Sequence, residues 1–200
     1  MKEMMKNTGI MVAITVIAGL LLGLVYQVTK NPIAEQETKA KEEACQEVFA
    51  DAASFGLIGV EAMPADWNNE GYAQESIDEV MEAKDASGEL LGYVITVTTK
   101  EGYGGDIQFS IGVRLDGTIN GMSILSISET AGLGMQAEAV LKPQFADKQV
   151  KKFVYTKNGA ASEEQIDAIS GATITTNAVT NGVNVGLYYF QTVLGGGDGQ

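Results

Sequence analysis

Residues 167–179 read DAISGATITTNAV, and they place four small residues, SGAT, directly ahead of a segment with helical periodicity. Small side chains and a glycine let another molecule approach the backbone closely. The first turn of a helix also offers N–H groups that have no partner within the helix, which makes it a favourable site for a phosphate or another anion. This stretch therefore predicts a binding site.

The segment that follows is predicted to be a helix with one apolar face. Its apolar residues recur at steps of three and four, which is the spacing of a helix face. They are Val179, Val183, Leu187, Phe190 and Leu194. The helix is expected to stop at Gly195, and residues 195–200 are expected to form a flexible tail.

Strands are predicted upstream of this helix. LLGYVITVTT (residues 90–99) and DIQFSIGV (106–113) alternate between polar and apolar residues, and Asp116-Gly117 between two apolar runs is a hairpin signal. MQAEAVL predicts a short helix and KKFVY another strand, whereas the pattern between residues 55 and 75 is weak. The chain is thus expected to fold as an α+β domain over residues 55–194, with an antiparallel sheet and flanking helices.

The N-terminal segment predicts a single transmembrane helix. Residues 7–29 carry no charge and are bracketed by Lys6 and Lys30, so the segment is long and apolar enough to cross a bilayer. It exceeds the apolar core of a signal peptide and lacks a small-x-small cleavage site, which favours a retained anchor over residues 1–30.

The charges and residue composition around the transmembrane segment predict its orientation and the structure that follows it. Lys2 on the short N-terminal flank predicts a cytoplasmic N-terminus and an extracytoplasmic domain in the cell membrane. Residues 31–54 are rich in helix formers and predict a juxtamembrane helix. Lone Trp67 is expected to be a packing residue.

Composition excludes several classes of function. The net charge of -13 argues against binding to nucleic acid. The chain has no histidine and a single cysteine, Cys45, so it cannot form a histidine-dependent nucleophile, a histidine zinc site, an internal disulfide or a cysteine-ligated cluster by itself. We therefore expect no catalytic residue and no metal site, and chemistry that belongs to a cofactor.

Two glycine-bearing stretches punctuate the strands, KEGYGGDI (residues 100–107) and SETAGLGMQ (128–136). Each lies at the end of a predicted strand, where binding loops are common, although either one alone is equally explained as a turn. Together with residues 170–173 they predict a three-sided pocket, with two loops for a planar ring and a helix start for a phosphate.

These motifs resemble those of a known family. The SGAT sequence preceded by Asp167, the GYGG loop, the ETxGLG loop at 129–134 and the N-terminal anchor occur in the same order in FMN-binding domains. Such domains occur in the G subunit of the Rnf electron-transport complex and in the C subunit of the sodium-translocating NADH:quinone reductase. The short chain is more similar to the Rnf subunit.

The resemblance implies a covalent cofactor. FMN would be joined through its phosphate to the hydroxyl of Thr173 by a separate flavin transferase that uses FAD, with Ser170, Gly171 and Ala172 completing the motif. N–H groups of residues 174–177 would stabilise the phosphate. Thr175 or Thr176 is expected to cap the helix rather than to touch flavin.

The resemblance also assigns residues around the flavin ring. Thr130 and Leu133 are implied as ring contacts, Gly132 and Gly134 permit close approach, and Tyr103 would stack or hydrogen-bond at the ring edge. Asp167 either assists the transferase or is a turn carboxylate. Ala131 stands where relatives usually have proline, which loosens the loop.

The function implied is electron relay. The chain would be the electron-carrying subunit of a membrane complex that couples ferredoxin and NAD to Na⁺ or H⁺ movement, without independent turnover. Its partners would be the other Rnf subunits, the transferase and membrane lipid. Two alternatives remain open: a stand-alone anchored flavoprotein reductase, and an anchored scaffold without flavin.

Overall fold

The computed structural model describes residues 1–63, Trp67 and residues 71–195, in two compact units that divide between Lys41 and Glu42. The first unit, Met1–Lys41, is helical, and its helix α1 begins at Lys2 and ends at Val48 within the second unit. Apolar side chains of the first unit are exposed, and its most apolar window has a mean hydropathy of 2.5. By length and composition, this helix is able to cross a membrane.

The second unit, Glu42–Gln200, contains an antiparallel sheet and several helices in its described part. The strands are β1 (Ser54–Ile58), β2 (Glu75–Lys84), β3 (Leu90–Thr99), β4 (Ile107–Arg114), β5 (Ile119–Ser126), β6 (Val154–Thr156) and β7 (Gln165–Asp167). The helices are a 3-10 turn (Gly134–Gln136), α2 (Ala137–Val140), α3 (Lys142–Phe145) and α4 (Thr173–Thr192). Strands β1 to β5 pair antiparallel in chain order, while β6 and β7 pair parallel. The predicted α+β class is confirmed.

The β4–β5 hairpin forms at the predicted turn. The N–H of Gly117 donates to the carbonyl of Arg114 at 2.9 Å. The N–H of Thr118 donates to Oδ1 of Asp116, also at 2.9 Å. A short polar side chain that accepts a backbone N–H two residues on is what makes this pair a strong turn former.

Helix α4 packs on one face of the sheet. Val179, Val183 and Leu187, which belong to the predicted apolar face, are fully buried. The helix lies so close to β4 that a Cβ on Gly186 would overlap the side chain of Ile111. The predicted helix face is confirmed, but the helix ends at Thr192 rather than at Gly195.

The opposite face of the sheet is covered by the end of α1. Cys45, Val48 and Phe49 pack there in a cluster with Ala83 and Val94. Because α1 ends at Val48, the helix predicted over residues 31–54 extends too far toward the C-terminus.

Strand pairing explains the earlier end of α1. The N–H of Ala53 donates to the carbonyl of Lys84 at 2.7 Å, so strand β1 begins where the helix was expected to continue. The pairing with β2 satisfies backbone groups that a further helical turn would otherwise use.

Three strands, β1, β2 and the three-residue β7, are absent from the sequence prediction. β1 falls largely in the region of weak pattern, and β2 carries many charged residues with a register shift between Ile77 and Glu79. Trp67 is buried, with its ring 5.7 Å from Tyr72 and 6.1 Å from Tyr188, which confirms its packing role. Of the expected flexible tail, residues 196–200 lie outside the described residues.

Candidate functional site

A cavity of about 510 Å³ opens where three segments of the second unit meet. These segments are the loop after β3, the loop after β5 and the start of α4, as the sequence predicts. Its volume lies within the usual range for small-molecule sites. Its lining consists of Tyr103, Glu129, Thr130, Leu133, Gly134, Gly171, Ala172, Thr173, Ile174 and Thr175.

The start of α4 supplies backbone donors. Thr173 is the first helical residue, is partly buried and lines the cavity. The N–H of Thr176 already donates to the carbonyl of Ala172 at 3.0 Å, and in a helix that starts at Thr173 the N–H of Asn177 is directed at the carbonyl of Thr173. The donors without an intrahelical partner are therefore those of residues 173–175 rather than 174–177. They lie at the positive end of the helix dipole, where an anion is stabilised.

The two threonines expected to cap the helix have other partners. The N-cap residue is Ala172, which makes no side-chain capping bond in the described structure. Oγ1 of Thr176 accepts the N–H of Ile169 at 3.1 Å and donates to the carbonyl of Ala172 at 2.9 Å, so it fixes the turn ahead of the helix. The hydroxyl of Thr175 instead donates to Oε2 of Glu129 at 2.7 Å. The capping prediction is wrong in its geometry because both side chains lie inside the first turn.

Glu129 joins the three sides of the cavity, although the sequence marks it only as the first residue of the ETxGLG motif and predicts no role for its side chain. It is only 8% exposed. Oε1 accepts the N–H of Gly104 at 2.9 Å, while Oε2 accepts the hydroxyl of Thr175. A Cβ on Gly134 would lie 2.6 Å from Oε2 of Glu129, so this glycine is required for the loop to close over the carboxylate. The available signal was a single carboxylate within the otherwise uncharged stretch SETAGLGMQ.

The loop after β5 is held by its own backbone. The carbonyl of Thr130 accepts the N–H of Leu133 at 3.1 Å and that of Met135 at 3.2 Å, so a closed turn forms with Ala131 in place of proline. Thr130 and Leu133 line the cavity, as does Tyr103 from the other loop with 69% of its surface exposed. These side chains provide the apolar and aromatic surface that a planar ring would need.

Three of the predicted site residues lie outside the cavity lining: Gly132, Asp167 and Ser170. Oδ1 of Asp167 accepts the N–H of Ala160 at 2.7 Å, and its own N–H donates to Oε1 of Gln144 at 2.6 Å. Asp167 thereby fixes the neighbouring loop, which corresponds to the turn role left open for it. Ser170 is exposed, and Gly132 is an exposed loop residue.

Two carboxyl groups lie beside the β3 end of the site. Glu101 follows β3, and its Oε2 accepts the side-chain amides of Asn177 at 3.1 Å and Asn181 at 2.7 Å. Glu75 is buried and accepts the hydroxyl of Thr99 at 3.3 Å. Burial, with a further contribution from the charge of Glu101, raises the pKa of Glu75 to about 7.

Comparison with known proteins identifies the class of this domain as FMN-binding. A family profile with that description matches residues 102–188, which include both loops and the start of α4. The C subunit of the Na(+)-translocating NADH-quinone reductase from Parabacteroides distasonis has the same fold, with a TM-score of 0.53 and 19% identity over 78% of this chain and 92% of that one. NqrC of Shewanella oneidensis gives 0.51 and 22%, over 74% of this chain and 84% of that one.

Sequence relatives specify the family further. A profile of the RnfG N-terminal region matches residues 1–48. The G subunit of the Na(+)-translocating ferredoxin:NAD(+) oxidoreductase complex of Acetobacterium woodii is 34% identical over 96% of this chain and 94% of that protein. The G subunit of the ion-translocating oxidoreductase complex of Methanosarcina acetivorans is 32% identical over 94% of this chain and 95% of its own length. The chain belongs to the RnfG family, which confirms the predicted resemblance.

Proposed function

We propose that the chain is the electron-carrying subunit of an ion-translocating ferredoxin:NAD⁺ oxidoreductase, and that its FMN is bound covalently through a phosphoester to Thr173. The observation that carries the proposal is the position of Thr173, which lines the cavity as the first residue of α4. An ester formed there would place the phosphate beside the free N–H groups of the first helical turn.

The residues present fit FMN. The cavity volume suits a ligand of this size, the helix start provides phosphate donors, and Tyr103, Leu133 and Ile174 provide apolar surface for the ring. FMN supplies one- and two-electron exchange when it is bound. The chain itself contributes binding and orientation: the bonds of Glu129 to Gly104 and Thr175 hold the loop and the helix at a fixed separation.

The remaining parts of the proposal concern partners and topology. The relatives are named as subunits of complexes, which supports assembly with other membrane and peripheral Rnf subunits. A flavin transferase is required because a threonine hydroxyl is a weak nucleophile, and the chain has no histidine to activate it. Helix α1 would anchor the chain in membrane lipid, with Lys2 and Lys6 in the cytoplasm and the FMN domain outside.

Intact-mass spectrometry of the full chain, co-expressed with a flavin transferase, tests the attachment. The wild type is expected to gain the mass of one FMN less one water, and Thr173→Ala is expected to gain nothing. Thr173→Ser retains a hydroxyl and should keep the adduct, while Thr130→Ala removes a different hydroxyl-bearing side chain from the lining and should also keep it. An adduct that persists in Thr173→Ala would refute the assignment.

The same material separates the alternatives. A scaffold without flavin would show no adduct in any variant. A stand-alone reductase would turn over an electron acceptor as purified protein, whereas a relay subunit is expected to accept electrons without sustained turnover. Electron relay is favoured because the relatives are named as subunits of ion-translocating oxidoreductase complexes.

A further inference from the structure

Glu129 dominates the formal charge of the cavity. Of the lining residues in the described part of the chain, it alone is an acidic or basic residue of the Asp, Glu, Lys or Arg type. Its two hydrogen-bond donors, the N–H of Gly104 and the hydroxyl of Thr175, are both uncharged. Among the described residues, the ion pairs of lysine and arginine involve other carboxylates. The negative charge of Glu129 is therefore buried in the wall of the cavity without a counter-ion from that part of the chain.

A charge in this position acts on any group whose own charge changes in the cavity. Charges interact more strongly in a protein interior than in water, because the surroundings screen them less. Reduction of a flavin adds electrons, and the ring becomes more negative unless protons balance them completely. The N-terminus of α4 has the opposite polarity, and its unpartnered N–H groups are those of residues 173–175, beside the position where a phosphate on Thr173 would lie.

We infer that the carboxylate of Glu129 lowers the reduction potential of flavin bound in this cavity. The inference rests on the proposed function and deepens it, because it assigns control of the flavin's reduction potential to one residue. Glu129 acts through its charge, while its hydrogen bonds separately hold the walls of the cavity together. Glu129→Gln separates the two roles, because it removes the charge and retains an acceptor oxygen.

The test is a spectroelectrochemical titration of the flavin-loaded full chain in detergent. Glu129→Gln is expected to shift the midpoint potential to a more positive value than that of the wild type. Glu138→Gln is expected to stay close to the wild type, because Glu138 is an exposed carboxylate outside the cavity lining. An unchanged potential in Glu129→Gln, or an equal shift in Glu138→Gln, would overturn the inference.

A second pair of variants covers the case in which Glu129→Gln does not fold or does not load. Thr130 lines the cavity and is exposed, so it tolerates a longer side chain. Thr130→Lys should raise the potential relative to Thr130→Gln, which has similar length and no charge, and equal potentials would contradict the electrostatic account. Absence of flavin in the wild type would refute the proposed function, whereas a loaded protein with an unaltered potential would refute this inference alone.

Discussion

Glu75 predicts an unusual dependence of stability on pH. Its side chain is 7% exposed at the start of β2, and burial, followed by the charge of Glu101, raises its pKa from 4.5 to about 7. Between pH 4.5 and about pH 7, the Glu75 carboxyl is protonated in the folded protein and ionised in the unfolded chain. The free energy of unfolding should therefore fall as pH rises from about 4.5 to about 7, and level off above that.

The magnitude follows from the pKa. A rise from 4.5 to about 7 corresponds to about 3 kcal/mol of unfavourable free energy for the charged form, and this is an upper bound for a group at the edge of a core. Glu75→Gln is neutral at every pH and keeps an oxygen to accept the hydroxyl of Thr99. We expect it to be more stable than the wild type by about 1–3 kcal/mol near pH 8, and nearly equal to it near pH 5.

Urea unfolding of the full chain in detergent, followed by fluorescence, measures this effect at several pH values. Trp67 is the single tryptophan, and it is buried, so its emission reports unfolding of the second unit. Glu163→Gln, an exposed carboxylate, serves as the matched control and should follow the wild type. Asp116, whose pKa is lowered by the N–H of Thr118, contributes at more acidic pH and with the opposite sign. Equal slopes for Glu75→Gln and the wild type between about pH 5 and pH 7 would refute the reasoning.

Two further substitutions test the packing that supports the site. Asn184→Ala should destabilise the domain by about 2–4 kcal/mol. The buried side chain of Asn184 accepts the N–H of Phe153 at 2.7 Å and donates to the carbonyl of Phe153 at 2.9 Å. Thermal unfolding measures the effect, and a loss of stability under about 0.5 kcal/mol would contradict the prediction. Gly186→Val should cost at least about 1–3 kcal/mol through overlap with Ile111. An unchanged urea midpoint would show that α4 can shift away from the sheet.

The parts of the fold that depend on short-range patterns are predictable from the sequence. The hairpin at Asp116-Gly117 and the apolar face of α4 both follow from spacing within a few residues. Strand β2 is not predictable in this way, since the register shift after Ile77 brings Ile77 and Val80, three residues apart, to the same core, while Ala83 packs in the cluster on the other face. The end of α1 is equally hidden, because it depends on pairing between β1 and β2.

The candidate site shows the same division. The two loops and the helix start are visible as motifs, and the structure brings them around one cavity. Glu129 acquires its role only from contacts with Gly104, 25 residues earlier, and Thr175, 46 residues later. No local pattern encodes a carboxylate that bridges segments so far apart. The contact of Asp167 with Ala160 is similarly a property of the folded loop rather than of the motif that precedes the helix.

The placement of Thr173 on α4 rather than in a loop has a physical consequence for the proposed relay. The rate of electron transfer to and from a tethered group depends on its distance from the partner, and a loop attachment would let that distance vary with the loop. Helix α4 is buried along most of its length, and Gly182 and Gly186 let it lie close against Phe109 and Ile111. A group esterified to Thr173 would therefore be held by the core of the domain. The loops then need only cover the ring, which is consistent with the exposure of Tyr103.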